Sequence, residues 1–301
     1  MRKAIIFVLA FLLLLPLVKA DTYLTGCAVL DTPGETYYLT QDIINSTVDT
    51  CMNITADNVI LDCQGHTIDG NGTSETYGIY AEAISNITIK NCKLTEWWMG
   101  ILLIDSHDNM IYSNVIQDNS FYGIYLFYPG SVLSPNKIYN NLFNNSMNYG
   151  MGFSFYISPN FWNTTRQAGA RIYSAGTEIG GNYWTNPNGT GYSDTCTDAD
   201  KDGFCDDPYV LSVVSNSTDY LPLSNQYLPS TTTTTTLPPV HGVPLLSSTL
   251  VGTVIGVGII TFMLRTLFDI TMKGDPKKII EYFIVLAVIV LTVISIIVLF
   301  T

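Results

Sequence analysis

The stretch "NITIKNCKL" at residues 86–94 decides the fold, because its pattern recurs along the chain. Related stretches are "NVILDCQG" at 58–65, "NMIYSNVI" at 109–116 and "NKIYNNLF" at 136–143. Each begins with Asn, and a second polar or sulfur-bearing residue follows five positions later, namely Cys63, Asn91, Asn114 and Asn141. Glycines then follow at 78, 100, 123 and 150, in steps of 22, 23 and 27 residues. This spacing indicates a structural repeat.

One repeat unit is too short to bury a core of its own. Each unit carries short stretches of period-two apolar alternation, separated by Asn or Gly where the backbone turns. Coils stacked on one another would pair these strands in parallel and bury one apolar column, and Asn side chains would hydrogen-bond up the stack. The sequence therefore predicts an all-β solenoid.

The repeat resembles the right-handed parallel β-helix of pectate-lyase-like proteins and of the NosD-like family, over roughly residues 27–185. The segments "TGCAVLDTPGETYYLTQDI" (25–43) and "GNYWTNPNGTGYSDTCTDADKDGFCDDPY" (181–209) are similar to the first and last segments of β-helix proteins on archaeal cell surfaces. This resemblance implies a right-handed parallel β-helix in an archaeal envelope protein. It is specific for fold and weak for activity.

Three apolar stretches predict the position of the chain relative to a membrane. Residues 1–20 have a basic start, an apolar core and the ending "VKA", as in a secretory signal peptide; an uncleaved anchor is the alternative. A C-terminal hairpin (243–301) holds two apolar stretches, 245–268 and 279–300, each long enough to span a bilayer. Basic residues dominate the loop at 265–278, so the positive-inside rule places this loop in the cytoplasm.

The segment between these stretches is strongly acidic. Residues 21–242 carry 22 acidic and 6 basic side chains, a net charge of −16. This charge repels phosphate backbones, so we expect no nucleic-acid partner. We assign residues 21–228 to the extracellular (or pseudoperiplasmic) domain and the Thr- and Pro-rich residues 229–242, which include "STTTTTTLPPV", to an extended stalk.

Disulfides and glycans are expected in an exported domain. All six cysteines lie within it, and an even count in an oxidising compartment predicts three local pairs among Cys27, Cys51, Cys63, Cys92, Cys196 and Cys205. In the solenoid, Cys63 and Cys92 are about one coil apart, a separation that a disulfide spans. Sequons that are candidates for N-glycosylation begin at Asn45, Asn53, Asn71, Asn144, Asn163, Asn188 and Asn216, and a further one at Asn86.

The stretch "TDADKDGFCDDPY" (197–209) predicts a calcium-binding loop at about residues 190–210. Carboxylates on alternate residues followed by Gly suit a hard cation. The expected ligands are Asp198, Asp200, Asp202, the carbonyl of Phe204, and Asp206. Because Tyr209 replaces the bidentate Glu of an EF-hand, we expect weak affinity, about 10⁻⁴ to 10⁻³ M, and a structural role. A merely solvated acidic turn is the alternative.

No catalytic residue is assigned from the sequence. Enzymes of this fold need paired carboxylates, or a calcium and Arg cluster, on one outer face, and none is evident, so the sequence favours a non-enzymatic role. The NosD-like resemblance implies service in copper-site maturation. The three histidines, His66, His107 and His241, form no ligand cluster in the sequence, so that role carries over in name only.

Alternation after each coil glycine predicts an apolar, partly aromatic strip on the outer face. Inward residues are expected to be Ile79, Ile101, Ile124 and Met151. The outward columns are then Tyr80, Leu102, Tyr125 and Gly152, and, two residues on, Glu82, Ile104, Phe127 and Ser154. Tyr80, Tyr125 and Phe127 are candidates for glycan binding. The alternative, slightly preferred, is that the tail from Thr190 to Tyr227 folds back over the strip.

The sequence thus predicts a membrane-anchored, glycosylated cell-envelope protein with a structural or adhesive role. A carbohydrate-binding or polysaccharide-processing surface protein is the alternative, and a NosD-like metal-maturation factor is a further one. The expected partners are the membrane and cell-surface glycans or envelope proteins.

Overall fold

The fold is taken from a computed structural model, and the structure describes residues 21–128, 134–153, 160–213 and 215–227. The leader predicted at 1–20, the stalk at 229–242 and both apolar stretches of the C-terminal hairpin lie outside the described residues. Within those described ranges, no helix is long and apolar enough to cross a membrane.

The chain winds into a parallel β-solenoid, as the repeat predicts, and its successive coils build three parallel sheets. Sheet A consists of β1 (Thr22–Leu24), β3 (Thr36–Leu39), β5 (Ile60–Asp62), β8 (Thr88–Lys90), β11 (Met110–Tyr112) and β14 (Lys137–Tyr139). Sheet B consists of β2 (Ala28–Leu30), β4 (Thr50–Ile54), β7 (Tyr77–Glu82), β10 (Met99–Ile104), β13 (Tyr122–Tyr128) and β16 (Tyr149–Phe153). Sheet C consists of β6 (Thr67–Asp69), β9 (Lys93–Thr95), β12 (Val115–Gln117), β15 (Leu142–Asn144) and β19 (Tyr183–Thr185).

The register of sheet B places the predicted apolar column inside. Ile79, Ile101 and Ile124 are direct Cα partners and are fully buried. Met151 also packs against the core, as predicted, but its register differs by two residues, because Tyr149 pairs with Ile124 and Met151 pairs with Leu126. A shift of two residues keeps Met151 on the inner face, since side chains alternate with period two.

The asparagine columns bind one coil to the next. The N–H of Asn114 donates to Oδ1 of Asn141 at 3.0 Å, and the N–H of Asn141 donates to Oδ1 of Asn182 at 3.0 Å. The N–H of Asn182 in turn donates to Oδ2 of Asp219 at 2.8 Å. All four side chains are buried. The expectation that Asn side chains hydrogen-bond up the stack is confirmed, and the column ends on a carboxylate from the C-terminal tail.

Three disulfides join the predicted pairs. Cys27–Cys51 ties down the first coil with a Cα–Cα distance of 4.4 Å, and Cys63–Cys92 joins adjacent coils at 4.7 Å. Cys196–Cys205 closes the acidic loop at 5.6 Å.

The segment after β16 caps the end of the solenoid. A short antiparallel pair, β17 (Gln167–Ala168) and β18 (Glu178–Ile179), precedes β19, and α1 (Tyr192–Thr195) follows it. A second antiparallel pair, β20 (Tyr209–Ser212) and β21 (Ser217–Asp219), ends the described domain. These pieces bury Trp162, Trp184 and Tyr183 at the end of the core, which closes the stack.

Candidate functional site

The outer face of sheet B carries aligned side chains across successive coils. In one column, Asn53, Tyr80, Leu102, Tyr125 and Gly150 are consecutive Cα partners. In the neighbouring column the partners are Glu82, Ile104, Phe127 and Gly152. Gly152 therefore lies beside Phe127 and not beside Tyr125 as predicted, and Ser154 lies outside the described residues. Tyr80, Tyr125 and Phe127 are on the same outer face, as the alternation predicts.

Four further aromatic residues connect Tyr80 with Tyr125, and the sequence reasoning missed them. They are Tyr77, Trp98, Phe121 and Tyr122. A signal was available, because an aromatic residue or Met stands immediately before each coil glycine, at positions 77, 99, 122 and 149. We call the seven residues the aromatic strip: Tyr77, Tyr80, Trp98, Phe121, Tyr122, Tyr125 and Phe127.

Ring contacts run without a break along most of the aromatic strip. The ring centroid of Tyr77 lies 5.8 Å from that of Tyr80 and 6.1 Å from that of Trp98. Trp98 stacks on Phe121 at 5.0 Å with an interplanar angle of 13°. Phe121 contacts Tyr122 at 4.4 Å, and Tyr122 contacts Tyr125 at 5.1 Å. These distances are typical of favourable aromatic pairs, so the strip is an ordered surface.

Glycines at the C-terminal end of the aromatic strip make room for its rings. A Cβ on Gly150 would lie 2.6 Å from the Tyr125 ring and 2.7 Å from the Tyr122 ring. A Cβ on Gly152 would lie 2.5 Å from the Tyr125 hydroxyl and 2.6 Å from the Phe127 ring. The rings therefore cover β16 and fill the space that side chains at Gly150 and Gly152 would otherwise take. Aromatic rings that cover strand glycines in this way are also used in sheet design.

All seven residues of the aromatic strip are half-buried. The hydroxyl of Tyr80 donates to Glu82 at 2.6 Å, and burial together with this carboxylate raises the pKa of Tyr80 to about 12. The hydroxyl therefore stays protonated at physiological pH and remains a hydrogen-bond donor.

The C-terminal tail packs on the end of the stack. The hydroxyl of Tyr149 donates to the carbonyl of Leu211. Tyr209 packs between Tyr192 and Trp184, with ring centroids at 4.6 and 5.4 Å. In the described residues, the ring contacts and hydrogen bonds of Tyr80 and Tyr125 are made within the strip or to Glu82. Within the described residues the tail therefore packs on the last coil at Tyr149, and its coverage of Tyr80, Tyr125 and Phe127 stays a prediction.

The acidic loop brings three of its predicted ligands together. Carboxylate oxygens of Asp198, Asp200 and Asp206 lie within 4.8 Å of one another. Asp198 is fully buried, and its carboxylate accepts the N–H groups of Asp202 and Gly203 at 3.1 and 3.0 Å. Three hard oxygen donors on a loop closed by a disulfide are the ligand type that calcium takes.

Of the other two predicted ligands, Asp202 is engaged elsewhere, and the carbonyl of Phe204 stays a prediction. The Asp202 carboxylate pairs with Arg166 and accepts the N–H of Phe204, so it lies outside the group of three. The ring of Phe204 is buried in the cap, with the guanidinium groups of Arg166 and Arg171 at 4.7 and 4.4 Å from its centroid. The sequence could not show that Arg166, 36 residues away, would take one carboxylate of the loop.

A copper site needs imidazole or sulfur ligands close together, and the described residues do not provide them. All six cysteines are in disulfides. His66 pairs with Asp42, and His107 with Asp108, each through Nδ1 at 3.0 Å. His241 lies outside the described residues. The one cluster of potential metal ligands in the described ranges consists of carboxylates alone.

Two acidic residues outside the loop, Asp62 and Asp69, form contacts with the next coil. Asp62 forms an ion pair with Lys90 at 3.1 Å, and Asp69 accepts the Thr95 hydroxyl at 2.6 Å. Both therefore serve contacts between coils.

The sequons differ in exposure. Asn45, Asn71, Asn86, Asn188 and Asn216 are exposed, whereas Asn53, Asn144 and Asn163 are half-buried. The three half-buried side chains are less accessible to modification than the five exposed ones.

The sequence matches the model of a family described as "Periplasmic copper-binding protein (NosD)" over residues 20–132 and 128–189, more than half of the chain. Among curated proteins and solved structures, none matches the chain.

Proposed function

The chain belongs to the NosD family, and we propose that it is a cell-envelope protein whose aromatic strip binds glycans in an adhesive role. The observation that supports this most is the run of half-exposed rings across coils β7, β10 and β13, continued over the glycines of β16. The tail contacts that support an open strip are those of Tyr149 and Trp184, at the last coil.

A glycan is the ligand that suits this surface best. Sugar rings present C–H faces that pack on aromatic rings, while their hydroxyls accept and donate hydrogen bonds at the edges. The strip supplies both, since tyrosine rings carry a polar end beside an apolar body. Adjacent coils are about 4.8 Å apart, so the four coils of the strip span roughly 15 Å and favour a chain-like ligand that contacts several rings.

The aromatic strip is a binding surface and not a catalytic one. Glu82 is the carboxylate aligned with it, and its oxygen already accepts the Tyr80 hydroxyl. Hydrolysis needs a second, suitably spaced carboxylate. Polysaccharide processing is therefore less well supported than binding.

In this proposal the acidic loop is a structural calcium site that stabilises the cap. Asp198, Asp200 and Asp206 would hold the ion, and the loop connects to the cap through Arg166 and Arg171. The ion would neutralise three clustered carboxylates and hold the end of the solenoid closed. The role in copper chemistry that the family description suggests is not proposed, because the donor set does not fit copper.

We place the domain outside the cytoplasmic membrane, carried by the stalk and the C-terminal hairpin. The description of the family as periplasmic supports export. The apolar stretches 245–268 and 279–300, the basic loop between them and the exposed sequons support an anchored, glycosylated surface protein.

A glycan array probed with the full-length protein tests the proposed function. Hits should be followed by oxidative footprinting of the aromatic side chains with and without the bound glycan. We expect protection of Tyr125 and Phe127 and no change at Tyr23, which is 66 % exposed on sheet A. Unchanged oxidation of the strip in the presence of a bound glycan would refute its assignment as the binding surface.

A further inference from the structure

A groove of about 490 Å³ lies along the corner between sheets A and C, away from the outer face of sheet B. It runs across the turns of four successive coils, past Gln64, Asn91, Ser113 and Asn140, and the segment Ala170–Ile172 forms one wall. Its volume is within the range of ligand pockets, which is about 300–1,000 Å³.

Basic side chains are concentrated at this groove. Residues 21–242 contain six basic residues against 22 acidic ones, and three of the six are Lys90, Lys93 and Arg171. Lys93 and Arg171 line the groove, and Lys90 pairs with the lining residue Asp62. In so acidic a domain, this concentration of positive charge marks the groove as different from the rest of the surface.

Among the basic groups at the groove, Lys93 alone in the described residues has neither a direct ion pair nor several hydrogen bonds to hold it. The Asp62 carboxylate is neutralised by Lys90 and also accepts the Asn91 side chain at 2.9 Å. The Arg171 guanidinium donates to the carbonyls of Glu178, Asp202 and Gly203, and the carboxylates of Glu178 and Asp202 pair with Arg166. Lys93 is exposed and, within the described part of the chain, forms no direct ion pair; the carboxylate of Asp42 is close enough to interact with it electrostatically and pairs directly with His66.

Hydrogen-bonding groups and rings accompany Lys93. The Ser113 hydroxyl accepts the Asn140 side chain at 2.9 Å, so its own hydrogen is available to a ligand. Tyr112 and Tyr139 immediately precede Ser113 and Asn140, and their rings stack at 5.2 Å with an interplanar angle of 7°. The groove thus has a cation, a hydroxyl donor, amides and an aromatic pair beside it.

We propose that this groove binds an acidic saccharide unit, one that carries a carboxylate or a sulfate group. Lys93 would contact the anionic group, Ser113 and Gln64 would bind ring hydroxyls, and the apolar face of the sugar would lie toward Val115. This site is separate from the aromatic strip, so its failure would leave the proposed function of the strip untouched.

Binding of three fluorescent oligosaccharides of equal length to the full-length protein tests the proposal: an oligouronate, a sulfated oligosaccharide and a neutral glucan. At low ionic strength we expect one or both acidic probes to bind more tightly than the glucan, and binding to weaken as salt is added. Tight binding of only one acidic probe identifies which anionic group the groove accepts.

Variants of the groove complete the test. Lys93→Ala should raise the Kd for the acidic probe about tenfold, the loss expected for one charge-assisted hydrogen bond, and Lys93→Arg should retain most of the affinity. Lys137→Ala removes the same charge from an exposed position outside the groove and should have little effect. Ala170→Trp should fill the groove and abolish binding, whereas Tyr125→Ala should not change it. Equal binding of all three probes, no binding of either acidic probe, or equal effects of Lys93→Ala and Lys137→Ala would overturn the proposal.

Discussion

The carboxylate of Asp219 occupies the next position of the asparagine column beyond Asn182, whose N–H it accepts at 2.8 Å. It also accepts the indole N–H of Trp184 at 2.8 Å and the N–H of Leu221 at 3.0 Å. Asp219 therefore joins the C-terminal cap to the polar column that runs through the solenoid. Truncation of the tail before this residue would leave the last Asn of the column without its acceptor.

Burial raises the pKa of Asp219 to about 7, although its N–H partners oppose this shift by stabilising the carboxylate. A carboxyl group whose pKa is higher in the folded than in the unfolded state contributes stability at low pH, and this contribution is lost as pH rises through the folded pKa. We therefore expect the domain to be less stable at pH 8 than at pH 5, by on the order of a few kcal/mol, at about 1.4 kcal/mol per pKa unit.

Urea denaturation at the two pH values measures this difference, with Asp219→Asn as the test variant. Asn cannot ionise, so the variant should show a much smaller difference between pH 5 and pH 8. Asp62 provides the contrast: its pKa is lowered by hydrogen bonds from Asn91 and Gln64 and by Lys90, which together outweigh its desolvation. Its contribution is lost only in acid below this window. A wild-type protein as stable at pH 8 as at pH 5 would show that Asp219 is not the titrating group described.

Calcium should stabilise the domain. For an ion at ten times its Kd, the gain in the free energy of unfolding is about 1.4 kcal/mol. Asp200→Ala should abolish the gain, because it removes one of the three clustered carboxylates. The variant should still fold, because Asp200 is exposed and its removal opens no cavity. Asp207→Ala removes a neighbouring exposed carboxylate outside the cluster and should keep it. The measurement is the melting temperature with calcium and with chelator. A wild-type melting temperature that is the same in both would show that the acidic loop binds no stabilising calcium ion.

Gly150→Ala should displace rings of the aromatic strip, since the new methyl group would overlap Tyr125 and Tyr122. Overpacking of this kind costs about 1–3 kcal/mol. Gly26→Ala is the matched control, because a Cβ there meets nothing within 4 Å. Denaturant midpoints and near-ultraviolet circular dichroism of both variants measure the effect. Equal stability of the two would mean that the rings do not rest on β16 as described.

The basic loop at 265–278 is expected on the cytoplasmic side. Protease added to intact cells should cleave the stalk at 229–242 and spare this loop, and permeabilised cells should lose both. Cleavage of the loop in sealed cells would disprove the hairpin topology.

The repeat was sufficient to predict the solenoid, because period-two alternation and Asn spacing are local in sequence. Ile79, Ile101 and Ile124 and the Cys63–Cys92 disulfide follow directly from that spacing. The alignment of the last coil by Gly150 is off by two residues, because Gly150 is not the equivalent of the earlier coil glycines. Gly78 lies against the carbonyl of Gly100, and Gly100 against the carbonyl of Gly123. Gly123 lies against the carbonyl of Asn148, so Asn148 takes the equivalent position in the last coil. Gly150 lies two residues further on, beneath Tyr122 and Tyr125.

The candidate site was predicted only in outline. Tyr80, Tyr125 and Phe127 were found by alternation within strands. Trp98 and Phe121 lie just before β10 and β13, where the period-two alternation of a strand does not predict whether a side chain points inward or outward. The position of the tail depends on contacts over long sequence separations, such as Tyr149 with Leu211, 62 residues apart, and no local pattern specifies these.

The most direct test of the account measures the affinity of the full-length protein for its best glycan-array ligand by calorimetric titration, with Tyr125→Ala, Phe127→Ala and Tyr23→Ala variants. Tyr125 and Phe127 lie within the strip, and Tyr23 stacks on Tyr38 on sheet A, so it controls for loss of a surface ring. The account predicts at least about a tenfold rise in Kd for each strip variant, as for a central aromatic contact, and no change for Tyr23→Ala. Equal affinity of all three variants and the wild type would contradict it.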